Sequence, residues 1–291
     1  MTFSLLCVGG IVTSTGSALA VPDWPTTFGH NMFLFPWSGM VGGILYEHSH
    51  RLLGALVGFL MIILSLGLWL QEYRLWLRWL GVVALSAVIL QGVLGGLRVI
   101  LLQYTLAIIH ACLAQAFFML LVSIAFFTAP RGPTNPTEPS IADLGCLRRL
   151  SVVTTGLIYV QVVFGAILRH TGTRLEAHLL FAGLVAVHVL VINMHVWRQH
   201  LEQSALVRPV MLLAALLMVQ LSLGLGAYLV RYTGIAVVVT PFTAVSLTTI
   251  HLAVGSLMLA TSLILTLRTY RLGSASRPSM ARNFLSEQVS L

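Results

Sequence analysis

The chain has 291 residues, of which 58% are hydrophobic and only 8% charged, with a mean hydropathy of +0.95. A soluble domain carries roughly a quarter charged residues, so this composition excludes one. All 16 basic residues are Arg against eight acids, giving a net charge of +8. With no basic stripe interleaved with aromatics, that excess orients a membrane protein and does not bind nucleic acid.

A bilayer span needs about 20 mostly apolar residues. Eight segments meet this: 3–21, 46–70, 79–97, 104–128, 150–168, 176–196, 209–229 and 247–267. The first is the most polar, rich in Gly, Ser and Thr. Ala18-Leu19-Ala20 resembles a signal-peptidase site, but no basic residue precedes the apolar run, so 3–21 is expected to stay as a helix. No run alternates with period two, which excludes a barrel. The predicted fold is therefore all-α and integral to the membrane, with eight transmembrane helices in two pseudo-symmetric four-helix bundles.

The predicted domains are an N-terminal bundle over 1–129, a Pro-rich cytoplasmic linker over 130–149, a C-terminal bundle over 150–270 and a loose cytoplasmic tail over 271–291. Eleven arginines fall in the even-numbered connectors and the tail, against Arg98, Arg169, Arg174 and Arg231 on the other side, with Arg51 at its rim. The positive-inside rule then places both termini in the cytoplasm. Residues 22–45 make the longest outer loop. Their prolines and aromatics predict a stiff lid or interfacial segment. Cys7, Cys112 and Cys146 form no CxxC and suggest no disulfide pair.

Tyr46–Gly58, reading YEHSHRLLGALVG, concentrates ionisable groups at the mouth of an apolar helix. Such groups are expensive in a membrane and mark function. Glu47 and His50 are three residues apart and share a helical face. The arrangement recurs. Gln91, Gly95, Gly96 and Arg98 precede His110; Gln161, Gly165 and Arg169 precede His178; Gln220, Gly224, Gly226 and Arg231 precede His251. Gly9, Gly10 and TSTGS precede His50. This is an internal duplication.

Four histidines at matched depth then fall into two pairs, His50 with His110 and His178 with His251. Facing imidazoles in an apolar bundle suit bis-His ligation of one heme per half. Zinc or a dimetal centre wants three or more ligands, and only Glu47 and Glu176 lie near. Arg51, Arg98, Arg169, Arg174 and Arg231 are candidate propionate partners, with lipid phosphate the competing role for each. His30, His48, His170, His188, His195 and His200 are weaker ligand candidates. Gly54 with Gly58, and Gly92 with Gly96, are small-xxx-small pairs expected to serve close helix packing.

The motifs GGIVTSTGSALAVPDWP (9–25), EHSHR (47–51) and RHTG (169–172), with helices opening at His110, His178 and His251, resemble the heme A synthase family over nearly the whole chain. The resemblance implies oxidation of the C8 methyl group of heme O to a formyl. It implies a substrate heme on His50 and His110 with Glu47 as the reactive-site carboxylate. It also implies a resident heme b on His178 and His251. Supply of heme O by a farnesyltransferase, the heme O synthase, and a place in cytochrome oxidase assembly follow from the same resemblance, in the inner membrane of a bacterium with the heme sites near its outer face. Three residues before His178 stands Leu175, so only the first half pairs a carboxylate with its histidine. Many family members carry loop cysteines, whereas 22–45 and 169–177 here contain none. A diheme b-type cytochrome, possibly quinol-linked in its electron transfer, and a transporter with duplicated halves remain open readings.

Overall fold

The computed structural model describes residues 1–130, 141–233 and 239–275, with side chains of the α5 start and the α8 end described from 144 and to 272. Its helices are α1 (Thr2–Ser14), α2 (Gly42–Gln71), α3 (Leu75–Leu101), α4 (Tyr104–Thr128), α5 (Ile141–Thr171), α6 (Leu175–Gln199), α7 (Ser204–Tyr232) and α8 (Pro241–Ala275). Two short 3-10 turns, Met32–Leu34 and Trp37–Gly39, lie between α1 and α2. Helices α2 to α8 are each long and apolar enough to cross a membrane. In lipid every backbone group must be satisfied within its own segment, which is why long apolar runs become helices.

Helices α2, α3 and α5 to α8 outrun the apolar windows read from the sequence, because polar and small residues continue them past the hydrocarbon core, and α4 coincides with its window of 104–128. The first falls short. Expected over 3–21, it stops at Ser14, where Gly16 turns left-handed at φ +69 and the Ser17 N–H bonds back to the Val12 carbonyl. The Thr13 and Thr15 hydroxyls also bond back to carbonyls one turn earlier. Gly tolerates that backbone freely and hydroxyl residues compete for it, so TSTGS terminates the helix. The expected linker also shortens. Helix α5 starts at Ile141 because Leu144 and Leu147 are buried (1% and 0% exposed), Leu147 against α6, α7 and α8. The rest of that linker, 131–140, and the tail from 276 lie outside the described residues, while 271–275 extend α8.

Within each half the four helices pack in a ring, α1 to α4 and α5 to α8. Between the halves α1 meets α8, α4 meets α5, and α4 meets α8. Exchanging the halves maps this set of neighbours onto itself, which is compatible with two pseudo-symmetric bundles. The halves differ in tightness: α5 runs in extended contact with α8, whereas α1 and α4 meet only marginally. A hydroxyl seam joins α5 to α8, where Thr155 Oγ1 lies 2.8 Å from Ser262 Oγ and 3.0 Å from Thr266 Oγ1. Interhelical hydrogen bonds and small residues are what bring helices together where the solvent is itself apolar. Accordingly half of the α8 span is buried, against about a fifth for the others.

Pro209 lies inside α7 and cannot donate to the carbonyl four residues back, that of Ala205. Arg268 of α8 donates to that carbonyl at 2.6 Å instead. One pairing expectation fails. A methyl group added at Gly54, Gly58 or Gly92 would meet nothing within 4 Å, so these glycines do not mediate close helix contacts. Gly96 is packed, but by the ring of Trp24 from the loop and not by a helix.

Candidate functional site

Each candidate histidine lies against a glycine of the preceding helix. A Cβ built at Gly9, Gly95, Gly165 or Gly224 would stand 3.1, 3.3, 3.2 or 3.1 Å from Cε1 of His50, His110, His178 or His251. The repeat read from sequence is thus a repeated contact, made once by each of the pairs α1–α2, α3–α4, α5–α6 and α7–α8. It also secures the short α1 as a true member of the series. Position along the even helix does not set the arrangement: His178 is in the first turn of α6, whereas His251 lies deeper in α8. The glycine opposite does.

Four residues before each of three of these glycines is a glutamine. Gln161 Nε2 lies 3.3 Å from His178 Nε2, and Gln220 Nε2 lies 3.3 Å from His251 Nε2. Gln91 Nε2 donates to the His110 carbonyl at 3.2 Å. On α1 that place is Leu5. Among the described residues, the Nδ1 atoms of His50, His110, His178 and His251 are all buried without a hydrogen-bond partner, as are the Oε1 atoms of the three glutamines. Buried polar atoms are nearly always paired, so seven orphans around four imidazoles mark sites built for something else.

In the second half the His178 and His251 rings face each other, 6.4 Å between centroids and inclined by 65°. Phe164 stacks on Phe181 at 5.0 Å beside them. In the first half His50 and His110 lie within electrostatic reach of one another. Among the described residues no cluster of three or more His, Cys, Asp or Glu could hold a metal ion. Two buried imidazoles per half, seated on glycine and walled by apolar side chains, fit an iron already held in a macrocycle; they do not fit a zinc or dimetal centre.

The loop between α1 and α2 is latched over the first half. Glu47 is 4% exposed; its Oε2 accepts from the Val21 N–H at 2.9 Å and its Oε1 from Arg51 at 2.8 Å. Arg51 also donates to the carbonyls of Val21, Asp23 and Thr26. His48, fully buried, pairs through Nδ1 with the Thr27 hydroxyl at 3.1 Å and packs on Phe35. The lid expected from its prolines is present, held by buried polar groups more than by its aromatics: Phe33, Leu34 and Trp37 point outward.

Asp23 organises the turn of this lid. Burial of its carboxyl opposes ionisation, but the Gly29 N–H, the Thr26 hydroxyl and the Phe28 N–H outweigh it and hold the group at about 2, against 3.8 unperturbed. A depressed carboxyl contributes order that is fully present above its unfolded value and is lost as pH falls through its folded one. Cleavage of the 22–41 loop by pepsin is therefore expected to rise as pH drops from about 4 to about 2. An Asp23→Asn protein should be cleaved readily at pH 4 already.

The candidate arginines divide. Arg51 is occupied by the latch. Arg169 crosses between the halves, donating to the Gly10 carbonyl at 2.7 Å and to Ser14 Oγ at 2.5 Å. Arg98, Arg174 and Arg231 make no described hydrogen bond or ion pair. Arg98 lies within electrostatic reach of Glu47, His50 and His110. Of the weaker histidines, His188 bonds the Leu184 carbonyl on its own helix, and His195 stacks near His200 at the opposite end of the bundle. Cys7, Cys112 and Cys146 are free. Trp24, Thr27 and the Val21 backbone, which build the lid's underside, carry no helical periodicity; the PDWP run was their only signal in the sequence.

Fold and site together define a multi-pass membrane protein with two buried imidazole pairs near one end of the bundle that the eight helices of the described residues form. Residues 41–177 match the COX15-CtaA family, described as cytochrome oxidase assembly protein. The chain is 29% identical over 178 residues to a heme A synthase of Shouchella clausii, covering 59% of this chain and 56% of the relative. It is 26% identical over 228 residues to one of Nitrosomonas eutropha, covering 64% and 61%, and 28% identical over 183 residues to one of Geobacillus kaustophilus, covering 59% and 53%. The aligned part thus spans little more than half the length of these curated relatives. The chain is thus similar to the COX15-CtaA family over residues 41–177, and helices α2 to α8 make it a multi-pass membrane protein.

Proposed function

We propose that the protein is a heme A synthase, an oxidoreductase that converts the C8 methyl group of heme O to a formyl. The observation that carries this is the fourfold imidazole-on-glycine contact, with a buried carboxylate, Glu47, one helical turn before only one of the four histidines. A plain diheme cytochrome has no need of that asymmetry.

In this reading His50 and His110 hold the substrate heme, and His178 and His251 hold a resident heme b, which supplies one-electron transfer when bound. Glu47, one helical turn from His50, accepts a proton as the methyl group is oxidised or stabilises positive charge developing there. Its carboxylate is kept in place by Arg51 and the Val21 N–H. The lid excludes water from the first half, which strengthens each electrostatic contact beneath it. Arg98 is the best-placed propionate partner in that half, being half-buried with no described partner, and Arg174 and Arg231 are the candidates of the other, with no hydrogen bond or ion pair among the described residues. The arginine distribution supports cytoplasmic termini and sites near the outer face. Substrate supply supports contact with a farnesyltransferase that makes heme O, and use of the product supports a place in cytochrome oxidase assembly.

Co-expression with a heme O source, followed by extraction and chromatography of the hemes, tests the proposal. Heme A in the extract is the expected result. Two heme b per chain and no conversion would instead establish the diheme cytochrome, and a colourless protein would overturn both readings.

A further inference from the structure

Three of the four histidines have a glutamine of the preceding helix beside them, and one does not. Gln91, Gln161 and Gln220 each stand one turn before the glycine that seats the ring, and on α1 the same place is Leu5. Each glutamine has a buried Oε1 without a partner, and each neighbouring histidine has a buried Nδ1 without a partner. One is an acceptor and the other, in a ring bound through Nε2, is a donor. They belong to groups already in contact: Gln161 and Gln220 approach their imidazoles at 3.3 Å, and Gln91 holds the His110 backbone.

We propose that these glutamines are positioning residues for the axial histidines, and that His50, lacking one, is the releasable ligand. The inference rests on reading the four histidines as axial ligands. Were Nε2 to engage iron, the glutamine amide would give up its 3.3 Å place at that edge of the ring. Moved to the Nδ1 edge, its Oε1 would accept the Nδ1–H, pairing two orphans at once. Metal-bound histidines nearly always donate their second ring nitrogen to such an acceptor, which fixes the ring and raises its basicity. For His50 the corresponding position on α1 is Leu5, a hydrocarbon, and the carboxylate of Glu47, one turn before it on α2, is already used by Val21 and Arg51. The His50 ring is therefore the less basic and less fixed of the four. In the substrate half that makes one face of the macrocycle firmly held, through His110, and the other able to let go. In the resident half, Gln161 and Gln220 hold both faces, as a cofactor that must stay requires.

The test uses the full chain loaded with heme b. Reduction potential and the low-spin electron paramagnetic resonance signal are read for Gln161→Leu, Gln220→Leu and Gln220→Glu. Removing the acceptor weakens electron donation by the ring, so the potential should rise in both leucine variants. A carboxylate strengthens it, so Gln220→Glu should shift the potential the opposite way. A purely structural glutamine would not produce shifts of opposite sign. Cyanide uptake by the ferric protein is the second reading. One heme per chain should take it up rapidly, and Leu5→Gln should slow that phase about 10- to 100-fold, the usual worth of a second-shell partner. Potentials unchanged by the glutamine variants, or uptake unchanged by Leu5→Gln, would overturn the inference while leaving the axial-ligand reading standing. A chain that binds no heme overturns both.

Discussion

A Gly224→Val protein is expected to lose heme from its second half while keeping its helical content. The Cβ alone would come within 3.1 Å of His251 Cε1, and valine adds two methyl groups beyond it. The ring cannot withdraw, because His178 faces it across 6.4 Å and the surrounding bundle is packed. Overpacking of this kind costs about 1–3 kcal/mol in stability. The larger effect falls on the ligand: an imidazole pushed off its line loses the metal by roughly 10- to 100-fold in affinity or more. Gly165→Val should behave alike through His178, and Gly9→Val and Gly95→Val should empty the first half. Heme stoichiometry from pyridine extracts, read beside circular dichroism, checks this. The control lies in α2, the helix that carries His50. Gly54→Ala and Gly58→Ala meet nothing within 4 Å, and alanine is the better helix former by about 1 kcal/mol. These should leave heme content unchanged and raise thermal stability slightly. Heme retained in Gly224→Val would show that the glycines are not the seats of the ligands.

The second large effect separates chemistry from latching at Glu47. Glu47→Gln keeps an acceptor for the Val21 N–H or for Arg51 but removes the charge. The lid should therefore stay closed, while co-expressed heme O accumulates and heme A yield falls by at least about tenfold, within the usual worth of a general base. Arg51→Met does the reverse. It leaves Glu47 buried without its cation and strips the Val21, Asp23 and Thr26 carbonyls of their donor. Removing one partner of a buried pair costs about 3–5 kcal/mol, which is enough to free the loop. Protease sensitivity within 22–41 should rise in Arg51→Met and stay low in Glu47→Gln. If Glu47→Gln converts heme O normally, the carboxylate is a latch and has no part in the oxidation.

Much of the site was legible because membrane insertion penalises what does not serve. His50, His110, His178 and His251 stood out against apolar runs, and the Gln and Gly residues recurring before them exposed the duplication. Gly95 and Gly96 show where that legibility stopped. Both belong to the repeat, yet Gly95 seats His110 and Gly96 receives Trp24 from the loop. No periodicity distinguishes them, because adjacent residues on a helix point about 100° apart and only the neighbours decide which face matters. The same holds for Gly54, Gly58 and Gly92, where the small-xxx-small pattern was present and the contact was not. Arg51 and Arg98 read alike as rim cations. One proved to be spent on the lid and the other to lack a described partner, a difference made by loop residues 25 to 30 positions away in sequence.

Composition, span length and the repeat by themselves determined a helical membrane protein and pointed to two related halves with four histidines as ligand candidates. Those properties depend on the energetic cost of charge and unpaired backbone in lipid, which each segment bears alone. The tertiary structure decided what depends on two segments at once. It closed the lid through Glu47, His48 and Arg51, assigned one glycine to each ring, and made α8 the buried centre. It also left His50 as the one ring with leucine where its three counterparts have glutamine.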